Sequence, residues 1–284
     1  MISILVPFDF STPATHALNF ATSLARNYSK ITITILHVVE IPLATGIGTM
    51  GGGIDPIPDF ENQLFFKELI DMRKKQLEAL ENEYATAGFP INSSLILGSA
   101  FRGISDAIQE AKPDLVVMGS KGTSGLEEIM VGSNTEKIVR TSPCPVITIK
   151  AATDVRTMKK VVFASDFRDS ADEAAARIKR IQNLLDAQFY FVIVNTPGNF
   201  ETTRDSMSRI RSFVKKHNFE NIKAEIYNSL SEESGIIEFA DDIDADLIAM
   251  TTHGRTGLLH LLTGSIAEDV VNHSSRPVWT FKAN

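Results

Sequence analysis

Short apolar runs alternate with longer segments of helical periodicity along the chain. The segments between the runs place apolar side chains every three or four residues, as amphipathic helices do. This alternation predicts a parallel sheet with helices on both faces. In the first half the predicted strands are Ile2–Pro7, Ile31–Val39, Ile91–Leu97, Leu115–Met118 and Val146–Ile149, and the predicted helices lie near Thr12–Arg26, Phe60–Thr86, Arg102–Ala111 and Ser133–Arg140.

The second half of the chain repeats the first. Asp114–Met118 aligns with Asp246–Met250, and the glycines that follow keep the same offset, 254 − 122 = 132. At the front of each half, ILVPFDFS aligns with VVFASDFR and places Asp9 on Asp166, an offset of 166 − 9 = 157. The difference between the two offsets, 157 − 132 = 25, is the number of extra residues in the first half.

The extra residues are assigned to the Gly- and Pro-rich segment near residues 41–59, which has no counterpart after the second strand of the second half. A loop of this length is usually either functional or disordered, and we interpret it as a flap over a binding crevice. The repeat predicts two domains, residues 1–150 and 157–284, joined by a polar segment.

Charge and cysteine content exclude several functions. A net charge of −7 argues against sequence-independent nucleic-acid binding, and the short basic groups Arg73–Lys75, Lys159–Lys160 and Lys215–Lys216 are interpreted as solvated positions. A single cysteine, Cys144, cannot form an intramolecular disulfide. With no signal-peptide pattern and no apolar stretch long enough for a membrane helix, we expect a cytoplasmic protein without membrane contact.

Glycines and hydroxyls follow the fourth predicted strand, and Asp9 follows the first. Ligands of open parallel sheets bind at the carboxyl ends of the strands where strand order reverses, so neighbouring first and fourth strands would share one crevice. There Gly119 and Gly122 would let backbone N–H groups approach a phosphate, and the helix that starts near Gly132 and Ser133 would favour an anion. The alternative is that these residues only form turns and caps.

Other motifs give weaker signals. GxxxxGK[ST] and GxSxG are absent, and Gly46–Gly51 matches GxGxxG without the strand and helix that the motif requires. The six histidines lack a metal-ligand spacing, so no metal site is predicted. Cys144, between two prolines, is interpreted as a packing residue. The acidic cluster of Asp241, Asp242, Asp244 and Asp246 is expected to face solvent.

Three stretches of each half together resemble one known family. In the first half they are PFDFS with Asp9, LHVV with Val38, and Gly119-x-x-Gly122 followed after nine residues by Gly132-Ser133; in the second they are ASDF with Asp166, VIVNT, and THGRTG running to Gly264-Ser265. This pattern resembles a tandem universal stress protein, whose ATP-binding signature is Gly-x-x-Gly-(nine residues)-Gly-Ser/Thr. The resemblance implies two open parallel-sheet domains of the α/β class, flavodoxin-like and doubly wound.

The resemblance also implies an ATP site, with Mg²⁺ accompanying the nucleotide. Asp9 would meet the adenine, the backbone of Val38 would add contacts to it, and Lys121 would add charge at the phosphates. The second half departs from the pattern at Thr251 and Ile266, so the sequence does not decide whether this half has a nucleotide site of its own. The predicted nucleotide-binding residues are Pro7, Asp9, Val38, Met118, Gly119, Lys121, Gly122, Gly132, Ser133 and Asn134 in the first half and Asp166, Gly254, Gly264 and Ser265 in the second.

The predicted function is a nucleotide-dependent sensor or adaptor in a stress response, acting on an unidentified protein partner. The alternatives are an interaction scaffold without nucleotide affinity and a slow ATP hydrolase; no catalytic residue is assigned. The last strands, PVITIK and PVWTFK, are apolar at alternating positions and would form exposed edges in separate domains. In the family such strands pair between domains, which predicts an intramolecular pseudo-dimer. The residues expected near its seam are Val146, Ile147, Val278 and Trp279. A homodimer of whole chains is an open alternative.

Overall fold

The computed structural model describes residues 2–28, 30–40, 60–120, 131–185, 187–253 and 266–283. The predicted flap near residues 41–59 lies outside the described residues, as do most of both glycine-rich segments. Within the described chain, no helix is long and apolar enough to cross a membrane.

The first half alternates strands and helices as predicted. Its strands are β1 (Ile2–Pro7), β2 (Ile31–Val39), β3 (Ile91–Leu97), β4 (Leu115–Gly119) and β5 (Val146–Ile149), and its helices are α1 (Thr12–Asn27), α2 (Phe60–Tyr84), α3 (Ala100–Ala111) and α4 (Ser133–Thr141). Helix α1 begins where the sequence supplies a cap, because the Ser11 hydroxyl accepts the N–H of Ala14. Helix α3 ends at Lys112, which takes the left-handed conformation and precedes Pro113.

The second half repeats the same order after a short 3₁₀ turn at Val155–Thr157. Its strands are β6 (Lys160–Ala164), β7 (Gln188–Asn195), β8 (Ile222–Asn228), β9 (Leu247–His253) and β10 (Val278–Ala283), and its helices are α5 (Asp169–Leu184), α6 (Thr203–His217), α7 (Glu232–Asp242) and α8 (Ile266–His273).

All ten strands form one sheet in the order β3-β2-β1-β4-β5-β10-β9-β6-β7-β8. Every pair within a half is parallel, and the order within each half is 3-2-1-4-5, so the chain reverses direction across the sheet between β1 and β4. This arrangement confirms the predicted doubly wound fold; its strand order matches the first five strands of the 3-2-1-4-5-6 dinucleotide-binding fold rather than the 2-1-3-4-5 order of flavodoxin. Strands β1 and β4 are neighbours, which meets the condition for one shared crevice.

The two halves join through their last strands. Strand β10 pairs with β5 in antiparallel orientation, with Trp279 opposite Ile147 and Thr280 opposite Val146. Trp279 is 1% exposed, so the apolar side chains that would line two open edges are buried at the seam. The predicted pairing of the last strands is confirmed.

Helices cover both faces of the sheet. Helices α1, α2, α5 and α6 pack on one face, where Phe20, Phe163, Phe191 and Trp279 are among the buried side chains. Helices α3, α4, α7 and α8 pack on the other face around smaller aliphatic residues. The two cores continue across the seam, since each buried cluster contains residues of both halves.

One aspartate in each half fixes the amino-terminal edge of the sheet. Asp114 accepts the N–H of Ser3 at 2.9 Å, and Asp246 accepts the N–H groups of Lys159 and Lys160 at 2.7 and 2.9 Å. Each carboxylate therefore ties the start of the fourth strand of its half to the start of the first. The expectation that the acidic cluster faces solvent is wrong for Asp246.

Two neighbours of Asp246 in that cluster also have partners. Tyr227 donates its hydroxyl to Asp242 at 2.8 Å, and Arg276 pairs with Asp241. Asp241, Asp242 and Asp244 are all exposed, so for these three residues the expectation agrees with the structure although two of them have partners.

Asp114 also crosses the seam, and we expect it to make stability depend on pH. Arg180 of α5 donates to its second oxygen at 2.9 Å. Burial raises the pKa of Asp114, but the hydrogen bonds from Ser3 and Arg180 outweigh burial and hold the pKa below its usual value of 3.8. A lowered folded-state pKa stabilises the fold above pH 3.8, and this contribution is lost as the pH falls through the folded-state pKa.

Replacing Asp114 by asparagine is therefore expected to lower the free energy of unfolding by about 1–2 kcal/mol at pH 7 and by much less at pH 3, as measured by urea denaturation. Asp244→Asn is the control, because the carboxylate of Asp244 is 95% exposed and lies 3.8 Å from Arg276. Equal losses at both pH values in Asp114→Asn would show that the charge of Asp114 is not what stabilises the seam.

Candidate functional site

The chain forms the same tight turn after the first strand of each half. The Asp9 carboxylate accepts the N–H of Ser11 at 3.0 Å, and Phe10 between them has a φ of 65°. In the second half Asp166 accepts the N–H of Arg168 at 3.1 Å, and Phe167 has a φ of 53°. Left-handed conformations are costly for bulky residues and concentrate at functional sites. The turn holds each aspartate at the carboxyl edge of the sheet, where Asp9 and Asp166 are half-buried.

Aromatic side chains pack against Phe10 in the Asp9 turn. The ring of Phe10 packs edge-to-face on Phe8 and on His37, with centroids 5.0 and 4.9 Å apart. His37 is 5% exposed, and its Nδ1 donates to the carbonyl of Phe8 at 2.7 Å. Burial lowers the pKa of His37 and outweighs the hydrogen bond to Phe8, so the ring is neutral at pH 7.

Arg73 of α2 completes this cluster, with its guanidinium 4.7 Å from the centre of the Phe10 ring. The sequence interpretation placed Arg73 in a solvated group; Arg73 is half-exposed, and its contact with Phe10 was not foreseen. A contact between a cation and an aromatic ring depends on which helix packs against which turn. No local sequence pattern indicates this packing.

The backbone of Val38 is directed toward the space beyond the end of β1. Leu36 accepts the N–H of Phe8 on the β1 side of β2, at 2.8 Å, and Val39 accepts the N–H of Gly98 on the β3 side, at 3.0 Å. Backbone groups alternate sides along a strand, so the N–H and C=O of Val38 point to the same side as those of Leu36. Strand β1 ends at Pro7, which pairs with Leu36. The polar groups of Val38 therefore face the position beside Asp9.

Hydrogen bonds join the residues that flank the glycine-rich segment of the first half. Ser120 donates its N–H to Ile149 at 3.0 Å, and the Ser120 carbonyl accepts the N–H of Gly132 at 2.6 Å. Thr135 of α4 donates its hydroxyl to the carbonyl of Gly119 at 2.9 Å. These bonds bring the start of α4 next to the end of β4, on the crevice that Asp9 borders. Lys121 and Gly122 belong to residues 121–130, outside the described residues.

Helix α4 begins at Ser133, after Gly132 as its N-cap residue. Glycine has no side chain, so the first N–H groups of α4 receive no side-chain cap. The side chain of Ser133 is exposed and that of Asn134 is half-buried. An uncapped helix start beside the carboxyl ends of parallel strands favours an anion.

Gly119 allows the start of α1 to pack closely on β4. A Cβ at Gly119 would lie 2.6 Å from the carbonyl carbon of Pro13 and 2.8 Å from the nitrogen of Ala14. The first turn of α1 occupies the space that a side chain would need. Two other predicted site residues, Pro7 and Met118, are buried in their strands.

In the second half an ion pair spans the corresponding strand ends. Glu201, in the loop after β7, accepts from Arg168 at 2.7 Å and also pairs with Arg209. The Asn195 side chain fixes this loop, because it donates to the carbonyl of Glu201 and accepts the N–H of Glu201, both at 3.0 Å. Arg168 follows Asp166 by two residues, so this ion pair brings the loop after β7 next to the Asp166 turn.

Three residues that were predicted for the second site, Gly254, Gly264 and Ser265, lie outside the described residues, and α8 begins at Ile266. Thr251, which takes the position of Gly119, is buried in β9 at 7% exposure. Helix α5 packs less closely on β9 than α1 does on β4, which leaves room for this side chain. The part of the chain that the structure describes contains no cluster of three or more His, Cys, Asp or Glu residues able to hold a metal ion.

Comparisons with known proteins agree with this architecture. The family model described as the Universal stress protein family matches residues 1–150 and again residues 157–282. A universal stress protein from Synechocystis is 26% identical and covers 99% of this chain and 100% of its own length. Another, from Methanocaldococcus jannaschii, is 28% identical over 52% of this chain and 93% of its own length.

One solved structure shows the same fold across both halves. The crystal structure of a universal stress protein from Archaeoglobus fulgidus has a TM-score of 0.77 at 20% identity, and the likeness covers 99% of this chain and 98% of that one. The two family matches confirm the tandem arrangement that the repeated motifs predicted. This chain therefore belongs to the universal stress protein family.

Proposed function

We propose that the first half binds ATP between Asp9 and the start of α4, and that the chain acts as a nucleotide-dependent sensor or adaptor. The observation that carries the proposal is the backbone of Val38, whose N–H and C=O are directed beyond the end of β1 toward the position beside Asp9. Adenine has an amine that donates and a ring nitrogen that accepts, and a strand backbone offers the complementary pair. The Asp9 carboxylate adds an acceptor.

The phosphate end of the proposed site is the start of α4. Its uncapped N–H groups suit an anion, and Ser133 offers an exposed hydroxyl. Lys121 and Gly122 remain proposed contacts. Mg²⁺ would neutralise part of the triphosphate charge. This end of the site lies at the reversal of strand order, where open α/β sheets take their ligands.

The class of ligand is supported independently of this chain. One solved universal stress protein is a complex with cAMP, so members of the family hold adenine nucleotides. The similarity to that complex covers 45% of this chain, with a TM-score of 0.39, so none of its ligand contacts is assigned to residues of this chain.

We propose that the second half does not bind nucleotide. The Arg168–Glu201 ion pair and the loop that Asn195 holds occupy the side of Asp166 where the adenine would lie. Opening this side would break a charge-assisted pair and two hydrogen bonds. The second half would then serve as the structural partner of the first.

Titration calorimetry of nucleotide-stripped protein with Mg-ATP tests this proposal. We expect one ATP per chain, because in the second half the Arg168–Glu201 ion pair and the loop held by Asn195 lie beside Asp166. Two equivalent sites would contradict the assignment of the second half. No heat of binding, supported by no shift of the unfolding temperature with ATP, would favour the scaffold; steady phosphate release that depends on Asp9 would favour the hydrolase.

A further inference from the structure

A cavity of about 460 Å³ opens on the seam at the amino-terminal edge of the sheet. The end of α3, the turn before β5 and one face of α5 form its walls. Ile108, Pro143 and Cys144 supply an apolar floor, and Lys112, Arg177 and Arg180 supply basic groups. Cavities of this size hold small organic ligands. The strand β4 separates it from the Asp9 crevice by its five residues, about 16 Å.

The cavity exists because the two halves differ at one position. The offset of 132 places Cys144 on Arg276 of the second half. Arg276 fills its own site, where it bonds to the carbonyl of Ala245, pairs with Asp241 and lies 3.8 Å from Asp244. Its side chain is 17% exposed. The smaller Cys144 leaves the corresponding volume in the first half open.

The charges around that volume also change. Gln109 and Lys112 stand in the first half where Asp241 and Asp244 stand in the second. Helix α5 adds Arg177 and Arg180 to the cavity wall. The lining thus includes three basic side chains and one acidic one, the carboxylate of Asp114, which is bonded to Arg180 at 2.9 Å. Basic groups therefore prevail in the lining, in a chain of net charge −7.

The walls are held in place by the backbone and by short hydrogen bonds. Ser142 donates its hydroxyl to the carbonyl of Cys144 at 2.8 Å, and Val116 donates its N–H to the carbonyl of Pro145 at 2.9 Å. Lys112 is fixed in the left-handed conformation at a φ of 45°. A site whose walls are already ordered loses little entropy when a ligand binds.

We propose that this cavity binds a small organic anion, in which a carboxylate meets Lys112 and Arg177 while an aromatic or branched apolar body lies against Ile108, Pro143 and Cys144. Guanidinium and ammonium groups form charge-assisted hydrogen bonds with carboxylates, and the apolar floor gives the body of the ligand a surface to bury. The site is distinct from the proposed nucleotide site and does not depend on it.

Cys144 provides the test, because it is the only cysteine of the chain. Its thiol is half-buried, and burial raises its pKa more than the hydrogen bond from Ser142 lowers it, so alkylation by N-ethylmaleimide is followed at mildly alkaline pH. We expect 1-naphthoate to slow the alkylation in a saturable way, about tenfold or more. The neutral isostere 1-naphthalenemethanol at the same concentration is expected to have little effect, and Mg-ATP none.

Two lysine variants separate this site from a general effect of charge. Lys112→Asn removes the ammonium and keeps a residue that tolerates the left-handed conformation, and it is expected to weaken protection by 1-naphthoate about tenfold. Lys30→Asn is the matched control, since Lys30 is also left-handed, at a φ of 73°, and does not line the cavity. Unchanged alkylation in the presence of 1-naphthoate, or equal loss of protection in both variants, would overturn the proposal.

A cavity-filling variant gives a second readout that does not use the thiol. Combining Gln109→Asp, Lys112→Asp and Cys144→Arg copies the arrangement around Arg276 into the first half. We expect this variant to fold, because the same side chains are accommodated in the second half, and to show no calorimetric binding of 1-naphthoate. Binding as tight as that of the unmodified chain would overturn the proposal.

Discussion

Replacing Asp9 by alanine is expected to weaken ATP binding by about 10- to 100-fold. The change removes an acceptor for the adenine amine, and a hydrogen bond to a charged group contributes about 1.5–3 kcal/mol. It also removes the bond from the N–H of Ser11 that holds the turn. Titration calorimetry with Mg-ATP measures the change directly.

Asp166→Ala is the matched control for this prediction. Asp166 makes the same turn, with the N–H of Arg168 at 3.1 Å, so both variants lose the same local hydrogen bond. We expect Asp166→Ala to leave both the affinity and the number of ATP molecules per chain unchanged. If the two variants weaken binding equally, or if Asp9→Ala binds ATP as the unmodified chain does, the proposed position of the adenine is wrong.

Replacing Gly119 by alanine is expected to lower the free energy of unfolding by about 3 kcal/mol, the upper range for inserting a methyl group into a packed site. The added Cβ would lie 2.6 Å from the carbonyl carbon of Pro13 and 2.8 Å from the nitrogen of Ala14. Both are backbone atoms at the start of α1, so relief requires the whole helix to move away from β4. Urea denaturation in the absence of nucleotide measures this change.

Gly103→Ala separates backbone crowding from the general effect of losing a glycine. Its Cβ would lie 2.6 Å from Cδ1 of Ile96, the end of a flexible side chain that can rotate away. Alanine also favours the helix by about 0.5–1 kcal/mol over glycine. We therefore expect a loss below about 1.5 kcal/mol for Gly103→Ala. Similar losses in the two variants would contradict the packing role that we assign to Gly119.

The Gly119 prediction bears on how the signature of the family is interpreted. The sequence interpretation used Gly119 to let backbone approach a phosphate, whereas the atoms nearest to an added Cβ at Gly119 belong to the first turn of α1. A loss of ATP binding in Gly119→Ala would therefore follow from a displaced helix as readily as from a lost contact. Asp9 is the better position at which to test nucleotide binding.

The sequence by itself determined the elements and their repetition. Apolar patterns placed every strand of the first half within one residue of its observed bounds, because buried strands such as β4 carry continuous apolar runs and half-buried ones such as β2 alternate. The constant offset of 132 placed Gly119 on Thr251 and Cys144 on Arg276. The offset of 157 at the front of each half placed Asp9 on Asp166, both at strand ends, since a turn after a strand is a local feature.

Tertiary structure alone decided what these residues face. The direction of the Val38 backbone depends on where β1 stops beside β2, and the closure of the second half depends on Glu201 reaching Arg168 from another loop. The cavity beside Cys144 likewise needs α5 of the second half to cross the seam. Such contacts join residues far apart in the chain, and no local pattern encodes them. Periodicity fixes which side of an element is buried, whereas the partner on that side is set only when the strands take their order in the sheet.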